Sequence, residues 1–372
     1  MTIYKTVSRI VELFLYNKEK RIDKQIIMKA EKLGRSIYIS QLRNGSITLD
    51  EIKDDSFVFL SLHMEEEFDE NYDRDIANLC SKLNEKGCKI IADISKRTLK
   101  KFDTDVSGLV KRLHLNRVRI DYGFSLQEII DTARENSVVL NASTMDIDEI
   151  LKVKEYGNVM AMHNFYPRKE TGLDEDYFTE INRKLKENDI KVAAFIPGKI
   201  ARGPLYEGLP TLEKQRHQSA YQNYVEMIQK YHIDEVYLSE PGIEKEDLEK
   251  IGLFEKEGVI SLKAKIDPEY DNLYNTVFTM RKDSPSSLIR ILESREYSKG
   301  NDMRIAPYNN VERTRGSITI DNDLYKRYCG EIQITRKDFP KDEKVNVIGK
   351  IDDGYLDLLD MVERGNRFVL VK

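Results

Sequence analysis

The sequence predicts a (β/α)8 barrel, also called a TIM barrel, followed by a second and mostly β domain. Eight short apolar runs alternate with helical stretches between residues 36 and 242, which is the pattern of such a barrel. After about residue 255 apolar runs follow one another with one helix between them, which indicates a β domain. A doubly wound open sheet is the alternative for the first part, but no GxGxxG or Walker A motif supports it.

The eight predicted strands are short apolar runs rich in β-branched residues. Parallel strands that are buried on both faces have nearly continuous apolar sequences. Each of the apolar runs here is flanked by residues that favour turns. The runs are SIYIS (36–40), FVFLSL (57–62), KIIADIS (89–95), RVRIDYG (117–123), VVLNAST (138–144), VMAMHNFY (159–166), KVAAFIPG (191–198) and EVYLSEPG (235–242).

The segments between these runs carry helical signals. One has apolar residues at i, i+3, i+4 and i+7, the spacing of a buried helical face. Ser125 and Glu128 form a predicted capping box before Ile129 and Ile130. Thr211 is the predicted N-cap of a helix that runs through Tyr231. The first of these helical faces consists of Ile76, Leu79, Cys80 and Leu83.

The chain is predicted to contain three parts. Residues 1–33 form a helical N-terminal extension, residues 34–254 the barrel and residues 255–372 the β domain. The predicted β runs of the last part are VISLKAKI, NTVFTMRK, SLIRILES, GSITID, GEIQITRK, KVNVIGK and FVLVK. Its one predicted helix places Tyr355, Leu358, Leu359 and Val362 at helical spacing.

Composition argues against several classes of function. The 60 basic and 65 acidic residues are well mixed and give a net charge of −5, whereas nucleic-acid-binding proteins carry clustered Lys and Arg. The three cysteines include no CxxC pair, and no HExxH motif is present, so we expect reduced thiols, no metal and no cofactor. No apolar run approaches the ~18 residues of a membrane span. We therefore expect neither a nucleic-acid nor a membrane partner.

Polar residues follow the predicted strands, where (β/α)8 barrels carry their chemistry. Hydroxyl, amide and carboxylate groups together suit a polyhydroxylated ligand, because each sugar hydroxyl needs a donor and an acceptor. The candidates are Asp93, Asp121, Asn141, His163, Asn164, Tyr166 and Glu240.

Several of these candidates have a purely structural alternative. Asp93 also suits a helix cap, Asn141 also suits a bond within its own loop, and His163 also suits a core position. Asp121 is harder to explain structurally, because Ser125 already caps the following helix. Asp121 is therefore the strongest carboxylate candidate.

The segment after strand 7, RGPLYEGLPTLEKQR (202–216), is a long connection. About twelve residues separate Gly198 from Thr211, whereas βα loops usually have ~2–6. Its glycines and prolines predict a stiff loop that presents Arg202, Tyr206 and Glu207 over the barrel. Arg202 suits an anionic group, and Glu207 suits a general acid, a base or a nucleophile. A simple ion pair between the two is the structural alternative.

Several long motifs resemble a bacterial family long described only as uncharacterised or "outer surface" proteins and now associated with 6-phospho-N-acetylmuramidase activity. The barrel motifs are RIDYGF, LNAST, HNFYPRKETGL, AFIPG and RGPLYEGLPTLEKQR. RTRGSITIDNDLYKRYCGEIQI, followed by KVNVIGKI, resembles the cyclophilin-like domain of that family. The resemblance covers roughly residues 34–372. The residues before strand 1 and the first two strand loops depart from the family pattern.

The resemblance implies a (β/α)8 barrel fused to a cyclophilin-like β-barrel. It also implies cytoplasmic hydrolysis of the β-1,4 bond in MurNAc-6-phosphate–GlcNAc, a phosphorylated amino-sugar disaccharide, during cell-wall recycling. We expect Asp121 and Glu207 to act as the carboxylate pair, with Asp93 as a further catalytic candidate. The substrate acetamido group is an alternative nucleophile. Arg315 of the second domain is expected to contact an anionic group, and a homodimer is possible.

Two other functions fit the same pattern. A non-catalytic phosphosugar sensor would bind the sugar without cleaving it. A phosphosugar lyase or isomerase would need a metal or a lysine at a strand end, and Lys199 lies beyond its strand.

Overall fold

The computed structural model describes residues 32–372 except residues 46, 65, 66, 202, 204 and 299–303. The predicted helical extension therefore lies outside the described residues up to residue 31. The described chain forms two compact units, one ending at Asp247 and the other running from Leu248 to Lys372. Among the described residues, no helix is long and apolar enough to cross a membrane.

The first unit contains a closed barrel of eight parallel strands, which confirms the predicted fold. The barrel closes because β1 pairs with both β2 and β8. The strands are β1 Leu33–Ile37, β2 Phe57–Ser61, β3 Lys89–Ile94, β4 Arg117–Ile120, β5 Val138–Asn141, β6 Val159–Met162, β7 Lys191–Ile196 and β8 Glu235–Leu238. Strand β1 begins three residues before the predicted run, and the chain enters a helix at Ile39.

Helices follow the strands in the order that the sequence predicts. They are α1 Ile39–Arg43, α2 Tyr72–Glu85, α3 Lys96–Lys101, α4 Val106–Leu113, α5 Leu126–Glu135, α6 Ile147–Lys154, α7 Glu175–Glu187, α8 Ala220–Gln229 and α9 Lys245–Glu257, which crosses into the second unit. The predicted apolar face of α2 is buried, and Ser125 and Glu128 form the predicted capping box of α5. Large side chains fill the barrel interior, namely Phe59, Ile91, Val139, Met160, Met162, Phe195 and Tyr237.

The predicted helix cap at Thr211 is wrong. Helix α8 begins at Ala220, and the Ser219 side chain caps it. The buried Thr211 hydroxyl instead accepts a hydrogen bond from the Phe195 amide at 2.9 Å and donates one to the Asn164 carbonyl at 2.9 Å. Thr211 therefore ties β7 to the segment after β6, because two backbone groups there need partners.

We expect Thr211→Val to destabilise the barrel by about 1–3 kcal/mol, because it leaves both buried backbone groups without the hydroxyl. Urea unfolding measures this loss. Thr211→Ser is the matched control, since it keeps the hydroxyl and should lose less than the valine variant. Equal stability of the valine variant and the unmodified protein would contradict this role.

The second unit is a curled seven-stranded sheet, which confirms the predicted barrel-like β domain. Its strand order is β10-β15-β9-β14-β12-β13-β11, and among the described strand pairs only β15–β9 is parallel. The strands are β9 Val259–Ile266, β10 Val277–Thr279, β11 Leu288–Arg290, β12 Ser317–Asp321, β13 Ile332–Thr335, β14 Val345–Ile351 and β15 Arg367–Val371. Helix α10 (Leu292–Ser298) was not predicted, and the predicted helix is the short α11 (Leu358–Met361).

Candidate active site

Arg119 is the centre of a group of polar side chains at the carboxyl end of the barrel strands. Its Nη1 lies 2.8 Å from Asp93 Oδ1 and 3.4 Å from Asp121 Oδ1, and its Nη2 donates to Asn164 Oδ1 at 2.5 Å. We call these four residues the Arg119 cluster. It joins the segments of β3, β4 and β6, so the fold brings together residues far apart in the chain.

Strand geometry explains why these side chains meet. Asp93 and Arg119 are direct neighbours in the register of β3 and β4. Ile91 belongs to the packed interior of the barrel, and Asp93 lies two residues further along the same strand. Because side chains two apart share a face, Asp93 also points inwards and forms the top layer of the interior.

Asp93 is a buried, fully engaged carboxylate. Only 3% of the residue is exposed, and its second oxygen accepts a hydrogen bond from His63 Nδ1 at 3.0 Å. Burial opposes ionisation, but the charge of Arg119 and the hydrogen bond from His63 outweigh it and lower the pKa of Asp93. Burial likewise works against the charged imidazole, but the bond to Asp93 raises the pKa of His63. Asp93 therefore positions its neighbours.

Asp121 differs from Asp93 in its surroundings. It follows β4 directly and remains partly exposed to solvent. Burial and then the negative charge of Asp93 raise the pKa of Asp121, although Arg119 offsets part of this effect. A carboxyl group with a raised pKa at the opening of a barrel is suited to hold and deliver a proton.

The amide and imidazole candidates lie around the cluster. Asn141 Nδ2 donates to Asn164 Oδ1 at 3.1 Å, while Asn141 Oδ1 accepts from the Ser143 amide at 2.9 Å. His163 is fully buried, and its ring nitrogens lie 2.8 Å from Asn182 Oδ1 and 3.3 Å from Ser143 Oγ. Burial lowers the pKa of His163 to about 4, so the ring is neutral at physiological pH. Its contacts with Ser143 and Asn182 give it a structural role beside the Arg119 cluster.

Tyr166 and Glu240 occupy two further positions around the barrel opening. Tyr166 is half-buried, its amide donates to the Pro210 carbonyl, and burial raises the pKa of its hydroxyl. Glu240 is buried, and its Oε2 accepts from the Gly198 amide at 2.9 Å and from Ser239 Oγ at 3.0 Å. Glu240 thereby fixes the backbone just after β7. The Glu240 backbone lies so close to Gly198 that a side chain at position 198 would clash with it.

The loop after β7 presents its predicted residues in different ways. Arg202 lies outside the described residues. Tyr206 is 70% exposed and has a left-handed backbone with φ of 54°. Glu207 Oε1 lies 2.8 Å from Lys169 Nζ, and among the described side chains it makes no hydrogen bond or ion pair with the Arg119 cluster. The carboxylate therefore has a cationic partner from the segment after β6.

Arg315 belongs to the second unit and is engaged there. Its Nη2 lies 2.9 Å from Asp360 Oδ2 and donates to the Leu356 carbonyl at 3.1 Å. About a third of the side chain remains exposed. Its expected contact with an anionic group of a ligand stays a prediction.

Neither His63 nor Arg119 is among the site residues that the sequence predicts. Both side chains contact Asp93, and Arg119 also contacts Asp121. The alternation from Ile91 to Asp93 along β3 would have shown that Asp93 faces the barrel interior, and Arg119 follows Arg117 at the same spacing on β4. The register between β3 and β4 is the missing information, and it comes only from the folded barrel.

Three side chains of this site also have the donors of a metal site. Ligand atoms of His63, Asp93 and Asp121 lie within 4.8 Å of one another. The Arg119 guanidinium, however, already contacts both carboxylates and supplies the positive charge there. A divalent ion would lie against this fixed cation, which disfavours its binding.

We therefore expect treatment with EDTA to leave the activity unchanged within about twofold. The measurement compares turnover before and after chelation and dialysis, with added Mg²⁺, Mn²⁺ or Zn²⁺ as controls. Loss of activity on chelation that one of these metals restores would instead identify the three side chains as ligands.

Comparisons with known proteins match both units. Residues 33–253 match the family description "6-phospho-N-acetylmuramidase, N-terminal", and residues 259–371 match "6-phospho-N-acetylmuramidase, C-terminal". These matches confirm the resemblance drawn from the motifs. A comparison with curated proteins finds no match.

Two solved structures are similar over most of their length. A conserved Enterococcus faecalis protein of unknown function is 30% identical, with a TM-score of 0.77 over 91% of this chain and 96% of that chain. An uncharacterized B. cereus protein is 23% identical, with a TM-score of 0.72 over 92% of this chain and 100% of that chain. The second likeness shows the shared fold alone.

Proposed function

The chain belongs to the 6-phospho-N-acetylmuramidase family, and we propose that it hydrolyses the β-1,4 bond of MurNAc-6-phosphate–GlcNAc. The observation that carries this proposal is Asp121, a partly exposed carboxyl with a raised pKa that Arg119 holds at the opening of the barrel. We place the reaction in the cytoplasm, in the recycling of cell-wall fragments, as the resemblance to this family implies.

Asp121 is the proposed proton donor. Cleavage of a glycosidic bond requires protonation of the leaving oxygen, because the departing alkoxide is a poor leaving group. A carboxyl whose pKa is raised by burial keeps its proton to higher pH than an exposed one. Arg119 contacts Asp121 at 3.4 Å and is itself fixed by Asp93 and Asn164, so the donor is held in one orientation.

Glu207 is the proposed base or nucleophile. Asp93 does not suit this part, because both its oxygens are engaged by Arg119 and His63. Glu207 is partly exposed, and the ion pair with Lys169 fixes one oxygen while the other has no bond among the described side chains. Glu207→Gln tests the assignment: near-normal turnover would transfer the role to the acetamido oxygen of the substrate.

Cations at the opening suit the anionic groups of the substrate. The 6-phosphate and the lactyl carboxylate each need a positive partner, and Arg202 stays proposed for one of them. Arg168 and Lys169 follow β6, and Lys199 follows β7. Lys169 is paired with Glu207 and Lys199 with Glu244, so Arg168 is the one of these three cations that makes no ion pair with a described residue. The uncharged GlcNAc has no such requirement.

One assay tests the function. The protein is incubated with MurNAc-6-phosphate–GlcNAc and, in parallel, with the unphosphorylated disaccharide, and released GlcNAc is measured. We expect release from the phosphorylated substrate and at least tenfold less from the other. Cleavage of neither would contradict a hydrolase and would leave a phosphosugar-binding role.

A further inference from the structure

Two neighbouring side chains at the barrel opening, His63 and Tyr122, are accessible to a ligand. His63 follows β2, and Tyr122 follows Asp121 after the end of β4. The His63 side chain is 30% exposed and Tyr122 is 49% exposed. Their ring centroids lie 6.4 Å apart with an interplanar angle of 87°, the edge-to-face geometry that aromatic rings prefer. We call these two residues the His63–Tyr122 pair.

His63 directs one ring nitrogen towards the protein and the other towards solvent. Its Nδ1 lies 3.0 Å from Oδ2 of the buried Asp93 and 3.3 Å from Ser61 Oγ. Its Nε2 makes no hydrogen bond with a described residue and is not closed off from solvent. Because Asp93 is buried while the ring is partly exposed, the open edge of the ring is the one that carries Nε2.

Asp93 determines which nitrogen of His63 carries the proton. The pKa of Asp93 is lowered, so its carboxylate accepts the Nδ1 proton. Nε2 is then an acceptor in the neutral ring and a donor in the charged ring. A hydroxyl suits both forms because it donates and accepts, whereas a carboxylate, which only accepts, suits the charged ring alone. Nε2 therefore favours a hydroxyl of a ligand.

The surroundings of the pair favour an uncharged ligand. Ligand atoms of His63, Asp93 and Asp121 lie within 4.8 Å of one another, so an anionic group here would lie beside two carboxylates. The Arg119 guanidinium already contacts both of these carboxylates. The exposed ring of Tyr122 adds apolar surface for the C–H face of a sugar ring.

The two sugars of the proposed substrate differ in charge and in free hydroxyls. In MurNAc-6-phosphate the lactyl group, the phosphate and the glycosidic bond occupy C3, C6 and C1, so O4 is the one free hydroxyl. GlcNAc is uncharged, is linked through O4 and keeps free hydroxyls on C1, C3 and C6. The chemistry of the His63–Tyr122 pair therefore matches GlcNAc.

We infer that the His63–Tyr122 pair binds the leaving GlcNAc, with a sugar hydroxyl on His63 Nε2 and the sugar ring against Tyr122. The inference rests on the proposed function. It is consistent with the place of the proton donor, because Asp121 precedes Tyr122 in the chain and the donor must reach the oxygen between the two sugars.

Two variants and two substrates test the inference. Tyr122→Ala removes the ring, and His63→Asn keeps a nitrogen in the place of Nδ1 for Asp93 but lacks Nε2. One substrate is MurNAc-6-phosphate–GlcNAc, and the other is the β-glycosyl fluoride of MurNAc-6-phosphate, whose leaving group has neither a ring nor a hydroxyl. We expect each variant to lose about fivefold more kcat/KM on the disaccharide than on the fluoride, which corresponds to the ~1 kcal/mol of one such contact.

Two further variants serve as controls. Tyr122→Phe keeps the ring and should recover most of the loss that Tyr122→Ala shows on the disaccharide. Tyr156→Ala removes a tyrosine of similar exposure that precedes β6, at the other end of the barrel, and should not distinguish the two substrates. Equal losses on both substrates in Tyr122→Ala and His63→Asn, or no loss on either, would overturn the inference.

Binding separates this inference from the proposed reaction. In the Asp121→Asn protein, which should turn over slowly, calorimetry gives the Kd of the disaccharide and of MurNAc-6-phosphate. We expect the disaccharide to bind at least fivefold more tightly, and Tyr122→Ala to remove this difference by weakening the disaccharide alone. The same pattern in a protein that cleaves neither disaccharide would contradict the hydrolase and retain the subsite. No difference between the two ligands, or one that survives both Tyr122→Ala and His63→Asn, would overturn the subsite.

Discussion

Asp121→Asn is expected to lower kcat on MurNAc-6-phosphate–GlcNAc by about 10²–10⁴-fold, the usual contribution of a general acid. Asparagine keeps the size of the side chain and its contact with Arg119, but it has no proton to give to the leaving oxygen. Steady-state kinetics measure the loss. Asp54→Asn is the matched control, because Asp54 is exposed and pairs only with Lys86 in the described chain.

Leaving-group dependence makes this expectation specific. A dinitrophenyl leaving group needs little protonation, so Asp121→Asn should lose much less activity on a dinitrophenyl glycoside than on the disaccharide. Equal losses on both substrates would mean that Asp121 binds the substrate or maintains the site. Near-normal turnover of both substrates would mean that Asp121 is not the proton donor.

The pH profile follows from the same assignment. Burial and the charge of Asp93 raise the pKa of Asp121, and a proton donor must be protonated to act. Activity should therefore fall as the pH rises through the raised pKa of Asp121, at a higher pH than an ordinary aspartate would give. Asp121→Asn should lack this alkaline limb, and an unchanged limb in that variant would contradict the assignment.

Arg119→Met should have the second large effect. It removes one of the two partners of a carboxylate that is 3% exposed and leaves only His63 beside it, and breaking a buried ion pair costs about 3–5 kcal/mol. We also expect kcat to fall at least about tenfold, because Asp121 and Asn164 lose the group that fixes them. Urea unfolding and kinetics at a temperature where the variant is folded measure the two effects separately.

Arg119→Lys is the conservative comparison. Lysine keeps the charge but lacks the planar fork that reaches Asp93, Asp121 and Asn164 together. It should therefore recover part of the stability while kcat remains low. Normal kcat in the lysine variant would reduce Arg119 to a structural counter-charge for Asp93.

The barrel was predictable because its signals are local. Apolar runs such as VVLNAST and the capping box at Ser125 identify strands and helix starts within a few residues. The start of β1 was less accurate, since the apolar residues of α1 continue the same run. Thr211 was misassigned because a threonine after a proline fits a helix cap, whereas its partners come from β6 and β7.

The sequence predicted where the candidate site residues lie in the barrel, but not which side chains they contact. The strand ends correctly indicated where Asp93, Asp121 and Asn164 lie, since the fold fixes which end of a barrel is open. The sequence could not show that Arg119 joins these three side chains, because that depends on the register between neighbouring strands. Nor could it show that Lys169 pairs with Glu207, since that partner comes from another loop.

The two carboxylates that contact Arg119, Asp93 and Asp121, have opposite pKa shifts and therefore opposite effects on the stability of the fold. Asp93, with its lowered pKa, stabilises the fold above its ordinary pKa and loses that contribution only as the pH falls through the lowered value. Asp121, with its raised pKa, costs stability increasingly as the pH rises above its ordinary pKa, and in full above the raised value. The Asp121→Asn variant, which has no charge at this position, should therefore have a higher melting temperature at neutral pH than the unmodified protein. Selection for thermal stability alone would favour that inactive protein.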